Sequence, residues 1–536
     1  MNDVIAIAPI LMAFLTGTTA LLVRSFPRLQ QIVSVAGTLG YAVTVATLVW
    51  RVVFASDAMS IAYQVGEWNA PFGITLVADG LSVFMLTITA VVAVYAIVFS
   101  VRFIDYRNQR VYYHPLFQFL LLGATGAFLT GDLFNLFVWF EVMLMTSYVF
   151  VAFYGNSSHT AAATRYVVLN IIGGAFMLLG VGGLYATTGT LNMADMARTV
   201  SASGTEMGPV VGLSALVLVT FALKAGLVPF QFWVPSAYRA APLPVVAMFA
   251  GATKKVGIYA IIRLYFTVFG NATLPTTVPG IPSDSLLAFL APVILVMGMS
   301  SIVVGGFGAL SCDSLDGLFA YSSIGQIGFI AVAIGIAAAT TVAELRHVAL
   351  LATLIFALHH ALTKGLLFLA TGVIRDAVGT TQLADVGGLG ERSPVFASVF
   401  LVGGLSLVGI PPLAGFFGKF LIFDAAGRQF AAHVTGDTFG AASAVVVLIV
   451  LLLGAVLTIL YSTRAWMGTF WGPQTDVIKT GTVDSIEVLI LGTLAVLVIC
   501  VGLGFEPVYQ FADTAAEAAV DTDGYVKTVE FGGEGA

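Results

Sequence analysis

Across 536 residues, 59% are hydrophobic and only 9% are Asp, Glu, Lys or Arg; soluble domains average roughly 45–50% apolar and about 25% charged. That balance excludes a chain made mainly of soluble domains, because a soluble core cannot absorb the excess whereas a bilayer can. The net charge of −6 gives no sign of a nucleic-acid partner, and part of it follows Phe505, in Glu506, Asp513, Glu517, Asp521, Asp523, Glu530 and Glu534, a stretch that reads as a solvated tail.

Apolar stretches of about 20 residues recur from Val4 to about Gly504, the length that crosses a hydrocarbon core. The first, Val4 to Val23, follows Met-Asn-Asp without a basic leader or a small-residue cleavage site and reads as a retained helix. Splitting the chain at charged and Pro/Gly-rich breaks predicts about fourteen spans. They begin near Val4, Ile32, Leu76, Pro115, Leu133, Ala163, Val210, Val245, Leu286, Gly317, Arg346, Pro394, Ala442 and Ile486. Cys312 and Cys500 lie in or beside apolar helices and indicate neither a disulfide framework nor a metal cluster.

Loops facing the cytoplasm carry the excess of Lys and Arg. With Met1 outside, the inner loops hold Arg24, Arg28, Arg102, Arg107, Arg110, Arg165, Arg239, Arg375, Arg392, Arg464 and Lys479. The outer loops hold only Arg51, Arg198, Arg346, Arg428 and Lys527, so an even number of spans with both termini outside is expected. The remaining bases, Lys224, Lys254, Lys255, Arg263, Lys364 and Lys419, fall within the membrane itself.

Two spans are interrupted alike, the seventh by Gly226 and Pro229 and the twelfth by Gly409, Pro411 and Pro412. Proline removes a backbone donor and clashes with the preceding turn, so each helix should break inside the bilayer. Paired broken helices at matching places mark inverted repeats in transporters, and an odd offset between them reverses the direction of crossing. The expected fold class is therefore an all-α integral membrane protein with two inverted five-helix repeats. The division is residues 1–110 for three leading helices, 111–270 and 280–472 for the repeats, and 480–536 for the last helix and the acidic tail.

A charged group at mid-bilayer costs roughly 2.5–3.5 kcal/mol, so such groups should face one another or water. Glu141 lies nine residues after Asp132, which at 1.5 Å per residue sets it about 13 Å deeper; it is the one carboxylate placed near mid-membrane. Lys224 adjoins the first break, where unwound backbone can admit water, and is the natural partner of Glu141. Separating the two would release the lysine proton and closing them would retain it. Lys255 enters the eighth span, His360 and Lys364 share a helix face four residues apart, and Lys419 lies seven residues beyond Pro412. In order, Glu141, Lys224, Lys255, His360, Lys364 and Lys419 read as a candidate proton relay across both repeats. Lys254, Arg263 and His359 read instead as structural ion pairs or as side chains reaching the interface, and Asp79 and Asp132 as helix caps.

Other chemistries find little support: the sequence has no P-loop, no GxSxG or HExxH, and no haem-attachment motif. A sodium site would want several hard oxygen ligands, and one deep carboxylate is thin provision. The chain reads as a carrier of protons with no cofactor of its own, any metal cation crossing elsewhere.

The runs HPLFQFLLLGATGAFLTGDLFNLFVWFEV, LNMADMA, LKAGLVPFQFWVPSAYRAAPLPVVA, KKVGIYAIIR, AYSSIGQIGF, HHALTKGLLFLATG and GIPPLAGFFGKF resemble the antiporter-like membrane subunits shared by Mrp antiporters, complex I and membrane-bound hydrogenases. The first two are similar to the D-type member of the Mrp antiporters in particular. The resemblance implies fourteen helices, two inverted five-helix repeats and a charged axis along mid-membrane. It maps Glu141, Lys224, Lys255, His360, Lys364 and Lys419 onto the family's ionisable residues of the fifth, seventh, eighth, eleventh and twelfth helices. It further implies a subunit of a plasma-membrane Na+/H+ antiporter, partnered by other membrane subunits, with an antiporter-like subunit of a redox-driven complex as the alternative. A structural scaffold is the rival from another class. The chain departs from the family at Asp316-Gly317, at Ser236 and in the extra charge of Lys254.

Overall fold

The computed structural model describes residues 3–55, 60–105, 112–202, 204–274, 284–434 and 438–531; Met1, Arg107, Arg110 and Glu534 lie outside the described residues. The protein is an all-α integral membrane protein. Helices α1 (Ala8–Leu22) and α2 (Pro27–Val49) come first, and a two-stranded hairpin of β1 (Ile61–Gln64) and β2 (Thr75–Ala78) leads into α3 (Gly80–Phe103). There follow α4 (Tyr113–Leu129), α5 (Leu133–Val151), α6 (Ser157–Thr188), the short α7 (Met193–Ser201), α8 (Met207–Ala225) and α9 (Trp233–Ala240). Helix α10 (Leu243–Val268) precedes α11 (Leu286–Leu310), α12 (Leu315–Ala339) and α13 (Ala343–Val378). The chain continues through α14 (Pro394–Val408), α15 (Ala414–Val434), α16 (Thr438–Phe470) and α17 (Ser485–Leu503) to α18 (Phe505–Val520) and α19 (Thr522–Phe531).

Among the described residues, twelve helices are long and apolar enough to cross a membrane, and each coincides with an expected span. The other two expected spans, near Pro115 and Pro394, are the 17-residue α4 and the 15-residue α14. Caps set the helix starts: the Asp79 carboxylate accepts from Ser82 N–H, and Asp132 accepts from Asn135 N–H at 2.6 Å, both in the capping role expected of them.

The breaks lie where the prolines put them. Helix α8 stops at Gly226 (φ 74°) before α9, and α14 stops at Gly409 (φ 93°) before α15. A left-handed residue ends each helix, and glycine adopts that conformation without Cβ strain. Each turn also contains a cis X-Pro bond, at Pro229 and at Pro412.

Burial separates core spans from peripheral ones. The most apolar window of α10 is 100% buried and those of α12 and α13 are 94% buried, whereas α6 and α16 reach 33%. Two of the central helices, α10 and α13, are the ones that carry Lys254, Lys255, His360 and Lys364. Helices α11 and α12 approach closely through small residues; a Cβ on Gly298 would meet Val332 N at 2.8 Å.

Two expectations are corrected. The third span does not begin near Leu76, because Leu76 pairs with Tyr63 in the hairpin and the helix starts at Gly80. The tail after Phe505 is not simply solvated: it forms the amphipathic α18 and α19, whose Ala512, Ala515, Ala516, Ala519 and Tyr525 are buried. Its acidic residues alternate with these apolar ones at helical spacing, so the charges face out while the other face packs. Phe511 meets Phe84 edge to face at 5.0 Å, Asp513 pairs with His347 at 2.7 Å, and Thr267 donates to Ala519 O at 2.8 Å.

Candidate functional site

All six bases assigned to the membrane interior are buried: Lys224 is 1% exposed, Lys254 0%, Lys255 0%, Arg263 1%, Lys364 0% and Lys419 7%. None of them snorkels to an interface.

In the first half of the chain, Glu141 projects from mid-α5 and Lys224 sits one residue before the end of α8. The two line one small cavity of about 10 Å³ with Asn170 and Thr220, close to the space a single water requires. They form no ion pair; Lys224 Nζ donates instead to Tyr166 OH at 3.4 Å, and that hydroxyl also meets Ser147 Oγ at 3.0 Å. Glycine at 174 gives Glu141 its room, since a Cβ there would lie 2.9 Å from Oε1.

Helix α10 contains two π-helical turns, Phe249–Thr253 and Arg263–Val268, on either side of the α-helical Lys254–Ile262. Such turns frequently mark functional sites. The first leaves the Ala250 carbonyl to accept from Lys255 Nζ at 2.6 Å, and the same Nζ lies 2.5 Å from His360 Nδ1 on α13. One turn along α13, Lys364 Nζ donates to Ser322 Oγ at 2.7 Å and Phe319 O at 3.2 Å and lies over the Phe319 ring. Ser322 Oγ continues to Tyr461 OH at 2.9 Å, which also receives Gln326 Nε2 at 2.9 Å.

At the second break the lysine serves as a helix cap. Lys419 Nζ donates to Val408 O at 2.7 Å and Leu407 O at 3.1 Å, the last carbonyls of α14. A cation at a helix C-terminus is stabilised by the orphan carbonyls and the dipole they sum to. His359 faces this break: its Nδ1 lies 3.3 Å from Ser406 Oγ and 3.2 Å from Thr363 Oγ1. Neighbouring histidines on α13 thus point to different places, His360 to Lys255 and His359 to the second break.

The structure therefore brings Glu141 to Lys224, Lys255 to His360, and Lys419 to the break beside His359, with Lys364 on the face of α13 that meets α12. Arg263 is the structural pair anticipated: its Nη2 meets Asp79 at 2.7 Å, with Tyr259 and Tyr525 rings against the guanidinium. Lys254 is neither of the things anticipated for it, having no ion pair among the described residues and no exposure. Sequence reasoning missed Tyr166, Ser322, Gln326, Ser406 and Tyr461. Ser322 and Gln326 stood four apart in a largely apolar span, a visible signal; Tyr166 and Tyr461 matter only through tertiary contacts that no spacing reveals.

Comparison with known proteins agrees with this architecture. The family described as NADH:quinone oxidoreductase/Mrp antiporter, TM, matches residues 130–436. The D-type component of the Na(+)/H(+) antiporter of Alkalihalophilus pseudofirmus is 33% identical over 534 residues, covering 99% of both chains. Its counterpart from Bacillus subtilis is 30% identical over 531 residues with the same coverage. A chain of the Mrp complex from Dietzia sp. superposes with a TM-score of 0.83 at 27% identity, over 98% of this chain and 99% of that one. A chain of an archaeal respiratory membrane complex, the membrane-bound sulfane sulfur reductase, gives 0.83 at 26% identity, over 98% and 100%. With a match over more than half its length and full-length relatives at 30% identity and above, the chain belongs to the NADH:quinone oxidoreductase/Mrp antiporter membrane family.

Proposed function

We propose that the chain is the D-type, proton-translocating subunit of a multi-subunit Na+/H+ antiporter. Protons move along Glu141, Lys224, Lys255, His360, Lys364 and Lys419, and Na+ crosses elsewhere in the complex. The observation that carries this reading is the run of buried bases that extends from one broken helix to the other through the Lys255–His360 contact. A structural role would be served by pairing each base with a carboxylate, as Arg263 is paired with Asp79. The relay bases instead hold carbonyls, hydroxyls and an imidazole, neutral partners that do not fix the charge on the base as a carboxylate would. The full-length likeness to D-type components of bacterial Na(+)/H(+) antiporters supports the same reading.

In this proposal the chain crosses the plasma membrane fourteen times with both termini outside. Residues 111–270 and 280–472 are the inverted repeats, each containing one break, and the remaining outer faces meet other membrane subunits. Glu141 holds a proton on Lys224 while the two approach across their shared cavity, and their separation frees it toward Lys255. His360 and Lys364 pass it along α13 to Lys419, where the second break opens a route out.

In everted membrane vesicles containing the assembled complex, Glu141→Ala, Lys224→Ala and Lys419→Ala should each abolish Na+-dependent proton flux. Full flux in all three sinks the relay. Reduced complex yield with unchanged flux per assembled complex would favour a scaffold instead. The likeness to a chain of an archaeal respiratory complex favours a second reading, a proton-pumping subunit of a redox-driven assembly. Co-purification with iron–sulfur or flavin proteins would select it.

A further inference from the structure

Among the described residues, Lys254 is the buried lysine that neither the relay nor an ion pair absorbs. It is fully buried, and its Nζ has no hydrogen-bond partner among the described residues. Its ammonium lies 5.8 Å from the ring centre of Trp233 and 5.4 Å from that of Tyr238, both on α9 just beyond the first break. A methyl built on Gly226 would come within 3.1 Å of Lys254 Nζ, so this side chain reaches into the opening of the broken helix. Trp233 leads on to Lys224: its Nε1 donates to Leu223 O at 2.8 Å, and its ring centre lies 4.9 Å from that of Tyr166, the hydroxyl of which receives Lys224 Nζ.

Lys255, the next residue, is rotated by about 100° around the helix and meets His360 on α13 instead. Two successive lysines on the most buried helix thus face the two halves of the chain. The two ammonium groups repel each other in a low-dielectric interior, and neither has a carboxylate partner among the described residues, so the doubly charged pair is the state the site opposes most. Aromatic faces offer Lys254 a place to hold charge without an anion.

We propose that Lys254 and Lys255 share one transferable proton, Lys254 taking it up at the first break and Lys255 delivering it to His360. Lys254 is then the joint between the two halves of the proton path. The inference rests on the proton-translocating reading above. In the transfer an N–H bond of the Lys254 ammonium breaks as one forms on the Lys255 amine, directly or through water. Lys254 is left as a neutral amine, Lys255 becomes the ammonium, and the pair keeps a single positive charge. The Lys255 ammonium then donates to Ala250 O and toward His360 Nδ1, and the next proton from the Lys224 side resets Lys254. The ionisable groups around the pair are His359, His360 and Lys364 on α13 and Tyr238 on α9, with Lys224 beyond Tyr166.

The test measures Na+-dependent proton flux per assembled complex in everted vesicles, over the full pH range in which the wild type works. Lys254→Met and Lys254→Gln should lower flux at least about tenfold, since a positioned proton-transfer group contributes roughly 100- to 10,000-fold. Lys254→Arg should lose as much while keeping the positive charge, because a guanidinium does not release its proton; a merely structural base would be replaced by it without loss. Lys254→His should restore part of the flux with its optimum moved to lower pH. If Lys254→Met fails to assemble, the Gln and Arg variants carry the same comparison. Flux within about twofold of wild type in the Gln or Arg variant, at every pH, overturns the proposal. Lys224→Ala separates the two readings: its loss alongside active Lys254 variants overturns only the joint, whereas full flux in Lys224→Ala overturns the relay itself.

Discussion

Lys255 Nζ stands 2.5 Å from His360 Nδ1, bridging residues 105 positions apart and joining helices α10 and α13 at the centre of the bundle. Both side chains are completely buried, and the same lysine is anchored by Ala250 O on the π-helical turn beside it. Groups that act as one unit show non-additive losses. Lys255→Ala and His360→Ala should each reduce Na+-dependent proton flux by roughly tenfold or more, and the double variant should fall no further than the worse single one. Losses that multiply across the two sites, measured in vesicles with equal complex content, would show that they act independently.

The glycines that end the broken helices sit against lysines. A Cβ at Gly226 would lie 2.8 Å from Val234 Cγ2 and 3.1 Å from Lys254 Nζ, and one at Gly409 would lie 3.1 Å from Lys419 Cδ. Both positions have left-handed backbone, which costs a residue bearing a Cβ about 1–2 kcal/mol. Gly226→Ala and Gly409→Ala should therefore lower stability by at least that amount and also displace the neighbouring lysine. Thermal unfolding of the purified complex and proton flux should fall together. A variant with normal unfolding and normal flux contradicts the assignment.

The Asp79–Arg263 pair should behave differently. It is buried on both sides and tied to Tyr259, Ser82 and the Tyr525 ring of α19. Removing one partner of such a pair leaves an uncompensated charge, at about 3–5 kcal/mol. Asp79→Ala should depress thermal stability and loosen the C-terminal helices, read as faster proteolysis after Phe505, while flux per surviving complex stays near wild type. Loss of flux at normal stability would place this pair in the proton path instead.

A pH-dependent contribution to stability is expected at the end of α3. The Arg102 guanidinium donates to Asp484 at 2.6 Å and holds this carboxyl below the usual range, while Asp484 also caps α17. A depressed pKa contributes stability that is complete above the ordinary carboxylate range and is lost as pH falls through the folded value. The pair is partly exposed, so screening limits it to under about 1 kcal/mol. Arg102→Gln should lower the unfolding midpoint slightly at neutral pH, and the difference should vanish in acid; a difference that grows in acid contradicts this sign.

Much of this was legible in the sequence because the bilayer makes charge expensive: six bases among apolar spans had to be buried, and all six are. The breaks were legible because Pro229, Pro411 and Pro412 cannot continue a helix. Position along one helix follows from a fixed rise per residue, and Glu141 does stand in the middle of α5. Direction around the helix axis and contacts between helices follow from packing alone. Hence the separation of Glu141 from Lys224, the opposite aims of His359 and His360, and the reach of Lys254 into the first break could not be read in advance. The docked tail was misjudged because its acidic count masked an alanine face at helical spacing.

Lys419 combines two tasks that substitution can separate. Its ammonium caps the last carbonyls of α14, with hydrogen bonds at 2.7 and 3.1 Å, and in the proposed relay it also releases a proton. Hydrogen bonds from a charged donor contribute about 1.5–3 kcal/mol, so Lys419→Met should lower both stability and flux. Lys419→Arg retains a cation that can reach the same carbonyls but does not give up its proton. It should therefore unfold near the wild-type temperature while proton flux is lost. If Lys419→Arg transports normally, the residue is only a cap, and the path must leave the protein before the second break, by way of His360, Lys364 and the hydroxyls of Ser322 and Tyr461.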